Sequence, residues 1–251
     1  MDTTFSKKHL IITAIALIAI VLLVRHTARN QAPINPDAGV PPETQLWPST
    51  QVQQASIVET TGPYTINVVY PVTQSASINE SFKTFATTQV DQFKQDTAWV
   101  NDQPDTAQAQ DLALTMSYTQ ERSTHADNYI FTIASYTGGA HGLQATKTFS
   151  FTDTGMPIGL ESIFIDQTKG LALVSEYAKQ VLSKREFADA SWIADGAAPT
   201  ADNYASFVIT DTGIRFLFDP YQVAPYAAGM QTVDVPTNVF RTIANPALFT
   251  L

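Results

Sequence analysis

Asp-Thr-Gly occurs twice in this chain, at 153–155 and again at 211–213. Two such aspartates held face to face share one proton and form the acid–base pair of an aspartic protease. That chemistry needs apolar residues ahead of each aspartate and two lobes to bring the turns together. Here Thr152 and Thr210 precede the aspartates, and the copies lie only 58 residues apart. Asp and Gly are also the preferred residues of tight turns between alternating strands, so both copies read as structural turns. A hydrolase using His141 or the Asp153/Asp211 pair is kept as the alternative.

Two other stretches stand out. Ser135 to Gly142, Ser-Tyr-Thr-Gly-Gly-Ala-His-Gly, has glycines at 138, 139 and 142. Such a run permits positive φ and close backbone approach and has the makings of an anion nest. It lacks the Gly-Lys-Ser/Thr ending of a phosphate loop, and no nucleophile stands at a recognisable spacing from His141. Phe216 to Gly229 carries Pro220, Pro225, Tyr221 and Tyr226. Prolines fix the backbone and tyrosines offer rigid amphipathic area, which suits a loop that touches protein or glycan. The binding candidates are therefore Gly138, Gly139, His141, Gly142, Tyr221, Pro225 and Tyr226. No residue is assigned a catalytic role.

The remaining inventory narrows the field. With no cysteine, thiol nucleophiles, thiolate zinc sites and iron–sulfur clusters are excluded. Of four histidines, His9 and His26 flank an apolar run, leaving His125 and His141 for the folded part. No metal and no cofactor are expected. The net charge is −9, the wrong sign for neutralising phosphates, so nucleic acid is not an expected partner.

The elements that must position these residues follow from periodicity. Residues 64–70 alternate and read as a strand stopped by Pro71. Ser77 and Glu80 fit a capping box that opens a helix with Phe82, Phe85, Val90 and Phe93 on one face. Residues 111–119, 127–136 and 146–152 alternate as strands. Leu171, Val174, Tyr177, Ala178, Val181 and Leu182 mark a second amphipathic helix. A hairpin over 204–210 and 214–218 and a last strand over 231–235 complete the order. Without regular βαβ alternation, the expected fold class is α+β, a mainly antiparallel sheet with two packed amphipathic helices.

Ahead of this part, Leu10 to Val24 holds no charged residue. At 1.5 Å per residue it covers roughly 22 Å, and about 27 Å with its polar flanks, against a hydrocarbon core of about 30 Å. One N-terminal transmembrane helix is expected at 10–24. Residues 1–29 then form a membrane anchor or uncleaved signal; Lys7 and Lys8 before the span balance Arg25 and Arg29 after it, and a short n-region ahead of a long folded domain favours a cytoplasmic N-terminus. Residues 30–54 hold five prolines in 25 positions, an extended spacer. Beyond Arg29 there are 10 basic and 22 acidic residues, so the exposed part is strongly acidic.

Taken in order, Gly138-Gly139-Ala140-His141-Gly142, Phe149-Ser150-Phe151, Ile158-Gly159-Leu160, Phe218-Asp219-Pro220-Tyr221 and Ala224-Pro225-Tyr226-Ala227-Ala228-Gly229 resemble the RsiV-type extracytoplasmic domain, found in the lysozyme-sensing anti-sigma factor. Tyr64 to Pro71 with Ile78-Asn79-Glu80 looks like the small domain that precedes it, and that also precedes the catalytic domain of some peptidoglycan deacetylases. The resemblance covers about residues 55–245. It divides the folded part into 55–140 and 141–251, expected to pack as one unit. It implies a non-enzymatic, membrane-tethered receptor facing outside the cytoplasm, with a lysozyme-like cationic protein or peptidoglycan as partner. With about nine residues before the span, the expectation is the sensor-like module without a sigma-binding domain. A structural subunit of an envelope complex is the further alternative.

Overall fold

The structure, a computed structural model, describes residues 53–60, 62–103 and 111–250. The expected span at 10–24, the anchor and nearly all of the spacer lie outside the described residues. Among the described residues, no helix is long and apolar enough to cross a membrane.

The class is α+β. Among the described residues, eight strands form two sheets: a mixed five-stranded sheet ordered β1-β2-β3-β4-β5 and an antiparallel three-stranded sheet ordered β6-β7-β8. The strands are β1 (Gln53–Glu59), β2 (Tyr64–Val72), β3 (Leu112–Arg122), β4 (Asp127–Tyr136), β5 (Leu143–Phe151), β6 (Phe207–Thr210), β7 (Gly213–Phe218) and β8 (Gln231–Pro236). Four helices accompany them: α1 (Ala76–Asp96), α2 (Leu160–Ile163), α3 (Gln167–Leu182) and α4 (Ala190–Gly196). The expected two helices are α1 and α3. The short α2 and α4 carry too few turns to show a period, and the five-stranded sheet is mixed rather than antiparallel throughout.

The described chain forms two compact units. The described residues of Gln54–Thr115 with Ser135–Leu143 make the first, and those of Gln45–Gln53, Met116–Ala134 and Gln144–Leu251 the second. In the first unit, α1 buries Ile78, Phe82, Phe85, Ala86, Gln89, Val90 and Phe93 along one face. Its cap is Ser75, whose hydroxyl accepts from the Ile78 N–H at 3.4 Å, not the expected Ser77. The Asn79 side chain fixes the entry by accepting from the Thr73 N–H at 2.7 Å and donating to its carbonyl at 2.8 Å. This local ring outcompetes the capping box that spacing suggested. β2 runs through Pro71 to Val72. Proline lacks only its own N–H, which a strand can spare near its end.

In the second unit, β7 is the central strand of its sheet. Phe216 pairs with Phe207 on one side and Val233 on the other. α3 is capped by Asp166, which accepts from the Lys169 N–H, and buries Leu171, Val174, Ala178 and Leu182. The core they enter includes Ile193, Tyr204, Phe216, Phe218, Val233 and Val235. The first strand of the expected hairpin begins at Phe207, not at 204. Tyr204 instead ends a turn as a fully buried ring, edge-on to Phe216 at 4.9 Å and Phe218 at 5.7 Å.

Candidate functional site

The site is built outward from Tyr204. Its hydroxyl donates to the Ala197 carbonyl at 3.0 Å, and burial pushes its pKa up to about 12. Ser175 of α3 donates to the same carbonyl at 2.6 Å. Asn203 donates to the Asp195 carbonyl at 2.8 Å. The open carbonyl end of α4 is thereby satisfied by fixed partners. The Gly196 carbonyl accepts from the Gln222 amide at 3.0 Å, and that amide also reaches the Asn203 carbonyl at 3.0 Å. Gln222 closes its own turn too, its side-chain oxygen accepting from the Asp219 N–H at 3.2 Å. The approach is close: a Cβ at Gly196 would lie 1.7 Å from the Gln222 carbonyl oxygen.

This clamp holds Tyr221 at φ +69°, the sole non-glycine residue with positive φ among the described residues. A side chain in that region is strained by about 1–2 kcal/mol. Tyr221 as a residue is 43% exposed. Its ring packs against two others: Trp192 of α4, with centroids 6.0 Å apart and planes 25° apart, and Tyr226, at 5.4 Å and 32°. Pro225 is exposed and opens the 3₁₀ turn Tyr226–Ala228, closed by the Ala228 N–H donating to its carbonyl at 2.9 Å. Three aromatic rings, Trp192 stacked on Tyr221 and Tyr221 tilted against Tyr226, therefore pack together on the second unit, each held by a different backbone element.

The stretch of chain that carries the three rings is acidic. From Glu186 to Phe240 there are seven acidic residues and one basic, Arg215. Arg215 is already engaged by Asp234 and Glu121, each at 2.8 Å. Asp189 caps α4, taking the Ser191 hydroxyl at 2.6 Å and the Trp192 N–H at 3.2 Å. Those bonds, the Ser191 hydroxyl foremost, hold its carboxyl below the ordinary value. Asp195 is exposed one turn after Trp192, on the same helix face.

The sequence candidates divide. Tyr221, Pro225 and Tyr226 come together in the second unit. Gly138, Gly139, His141 and Gly142 form a loop of the first unit, between β4 and β5. There Gly138 has φ +98°, and a Cβ would press the Trp99 ring at 3.1 Å. Tyr136 donates to the Gly139 carbonyl at 2.8 Å, and His141 Nδ1 lies 2.8 Å from the Gly142 carbonyl. Asp211 turns its carboxylate to the Thr124 N–H at 2.6 Å. That bond holds its pKa below the ordinary value, opposite to the rise one member of a proton-sharing pair undergoes. Asp153 sits in the exposed turn after β5. A buried polar network lies on β3 and β4, where Asp127 accepts from the Tyr129 hydroxyl at 2.9 Å and the Gln120 amide at 2.7 Å. Among the described residues no group of three His, Cys, Asp or Glu side chains is placed to hold a metal ion. Trp192 was missed in the sequence. Its signal was the Asp189–Trp192 spacing of a capped helix start, hidden by the brevity of α4.

Residues 161–238 match the family DUF3298, described as a protein of unknown function. The match contains Trp192, Tyr221, Pro225 and Tyr226, and leaves out the glycine loop. The peptidoglycan-N-acetylmuramic acid deacetylase PdaC of Bacillus subtilis is 29% identical over 196 residues, 76% of this chain and 41% of that protein. The immunogenic protein MPT64 of Mycobacterium tuberculosis is 32% identical over 100 residues, 39% of this chain and 43% of that protein. The chain thus spans about two-fifths of the length of the curated relatives it matches. A DUF3298 protein of Bacteroides fragilis has the same fold, with a TM-score of 0.53 at 18% identity, covering 78% of this chain and 96% of that one. A DUF3298 protein of Pseudomonas aeruginosa aligns with a TM-score of 0.51 at 13% identity, covering 80% and 98%. PdaC is by its name an enzyme that acts on peptidoglycan.

Proposed function

We propose that this chain is a non-enzymatic binding module of the cell envelope, tethered by residues 10–24 with its folded part outside the cytoplasm. Its partner is a lysozyme-like cationic protein or cell-wall peptidoglycan, as in an RsiV-type receptor. One observation carries the reading: Trp192, Tyr221 and Tyr226 pack against one another as partly exposed residues, and Tyr221 is clamped in a strained backbone conformation. Strain of this kind persists only where surrounding structure over-determines it, and it collects at ligand-contacting positions. Rigid, partly exposed aromatics are also the side chains that dominate binding energy. The acidic stretch around them favours a cationic partner, through steering more than raw affinity. The relationship to PdaC supports the wall as the place of work.

The test is calorimetric titration of the full chain with a basic lysozyme at low salt and at about 0.15 M salt, beside co-sedimentation with purified sacculi. Saturable binding of either ligand that survives the higher salt, and is lost in Tyr221→Ala, supports the proposal. Binding that vanishes with salt, or that Tyr221→Ala leaves intact, refutes it.

A further inference from the structure

Each sheet has two edges, and among the described residues three of the four are closed by this chain's own groups. On β5 the Ile158 N–H donates to the Ser150 carbonyl at 2.7 Å, and the Ser206 hydroxyl to the Thr146 carbonyl at 3.1 Å. On β6 the Asn128 side chain acts as a strand residue would, accepting from the Ile209 N–H and donating to its carbonyl, both at 3.0 Å. On β8 the Arg185 guanidinium donates to the Thr232 carbonyl. β1 is the fourth edge, and among the described residues no strand or loop backbone pairs with its outer side. An open edge is a template for strand addition, so folds usually blunt it with proline, lysine, a bulge or a covering loop. β1, Gln53-Gln54-Ala55-Ser56-Ile57-Val58-Glu59, has no proline, glycine or lysine. Its one charge, Glu59, is met by Lys94 of α1 at 2.7 Å. We propose that this edge is an interface at which a second copy of the chain pairs with the first, antiparallel across a two-fold axis.

The choice of occupant turns on charge and pattern. A basic or acidic peptide chosen by charge finds only Glu59 to read, and Lys94 already holds it. The strand instead complements itself, as a two-fold contact must. With Ser56 on the axis, all seven residues pair: Ala55 opposite Ile57 of the second copy, Gln54 opposite Val58, and Gln53 opposite Glu59. Ala55 and Ile57, both half-buried, then meet on one face, and the exposed Gln54, Ser56 and Val58 meet on the other. A slip of one residue sets the exposed side chains against the half-buried ones, so the pleat fixes the register. The two Glu59 carboxylates end up at opposite ends of the ribbon, about 20 Å apart along it. That exceeds the Debye length of about 8 Å at physiological salt, so no like charges meet across the seam. Backbone pairing supplies the affinity, as in other strand additions, and joins the two five-stranded sheets into one. A seam of seven residues, about 24 Å long, makes a reversible dimer rather than an obligate one. This contact stands apart from the binding-module reading and uses none of its residues.

Sedimentation equilibrium of the full chain in detergent, at increasing protein concentration, tests it in wild type and Ser56→Lys. Ser56 is exposed on the sheet face, so the lysine leaves the fold and its thermal midpoint in place while setting two ammoniums directly opposite each other. The expected result is a concentration-dependent dimer in wild type and a monomer throughout in Ser56→Lys. Cross-linking reads the register. The chain has no cysteine, so Ser56→Cys and Val58→Cys each carry a single thiol. Two cysteines at 56 face each other with Cβ atoms about 4.5–5.5 Å apart, close to disulfide reach, whereas two at 58 are offset by about 14 Å along the ribbon. Under mild oxidation Ser56→Cys forms the disulfide dimer at least about tenfold faster than Val58→Cys. A wild type that stays monomeric at every concentration overturns the proposal. So does a dimer that Ser56→Lys leaves intact, which places the contact elsewhere, and so do equal rates of cross-linking at 56 and 58.

Discussion

Replacing Tyr221 by alanine and by glycine separates backbone strain from ring packing. At φ +69° a residue with a Cβ pays about 1–2 kcal/mol. Glycine escapes that cost and returns about 0.5–1 kcal/mol through its larger unfolded-state entropy. Tyr221→Gly is therefore more stable than Tyr221→Ala by about 0.5–1 kcal/mol. At an ordinary strand or helix position the order is reversed by a similar amount. Both variants lose the ring contacts to Trp192 and Tyr226, roughly 0.5–1.5 kcal/mol each, so Ala falls well below wild type and Gly part of the way. Tyr221→Phe keeps ring and strain and stays above both the alanine and the glycine variant. Urea unfolding followed by circular dichroism reads this directly. With a slope of about 3 kcal/mol per molar for a chain of this size, the glycine midpoint lies about 0.2–0.3 M above the alanine midpoint. Equal midpoints, or alanine above glycine, refute a clamped left-handed Tyr221.

Four further outcomes follow from other parts of the fold. Gly213→Ala places a Cβ 2.1 Å from the Val235 carbonyl oxygen at φ +155°, so it lowers stability by about 2–3 kcal/mol and the thermal midpoint by roughly 5–10 °C, read by calorimetry. Asp211 has a folded pKa depressed by the Thr124 N–H, so its contribution is present above the ordinary carboxylate pKa of about 4 and is lost as pH falls through the folded value. The stability gap between wild type and Asp211→Asn is thus widest at neutral pH and closes in acid, in urea titrations at several pH values. Tyr129 is buried beside Asp127 and its pKa is raised, desolvation first among the causes. The stability this gives is complete below about pH 10 and declines above it, and ultraviolet titration finds Tyr129 ionising only with unfolding. Asp127→Ala removes the carboxylate that accepts from the Tyr129 hydroxyl and the Gln120 amide and lowers stability by about 1–3 kcal/mol, read by urea unfolding.

The long amphipathic elements were legible. Phe82, Phe85, Val90 and Phe93 mark a helix because 21 residues display several turns of one face. Leu171 to Leu182 do so for α3, and Asp211-Thr212-Gly213 marks its hairpin because the turn chemistry is local. Elements whose cause is tertiary were not legible. α4 is seven residues long and is fixed through Ser175, Tyr204, Asn203 and Gln222, none near it in a periodic pattern. Tyr204 alternates with its neighbours as a strand residue would, yet the core claims its ring. Ser77 had the right spacing for a cap, and Ser75 took the role through Thr73 and Asn79. The site split the same way. Tyr221, Pro225 and Tyr226 were readable from proline and aromatic density in one loop. Trp192 is 29 residues away in sequence from Tyr221, and only the α4–Gln222 clamp brings it alongside. The positive φ of Tyr221 had no sequence signature, since asparagine or glycine is the usual occupant of that region.

The most direct measurement of the proposed contact surface is hydroxyl-radical footprinting of the full chain, free and saturated with sacculi or with a basic lysozyme. Met156 is 57% exposed outside the aromatic surface and serves as the internal reference. Oxidation of Trp192, Tyr221 and Tyr226 falls severalfold on binding while Met156 is unchanged, if these rings are the contact. Undiminished oxidation of the three rings in a saturated complex contradicts it.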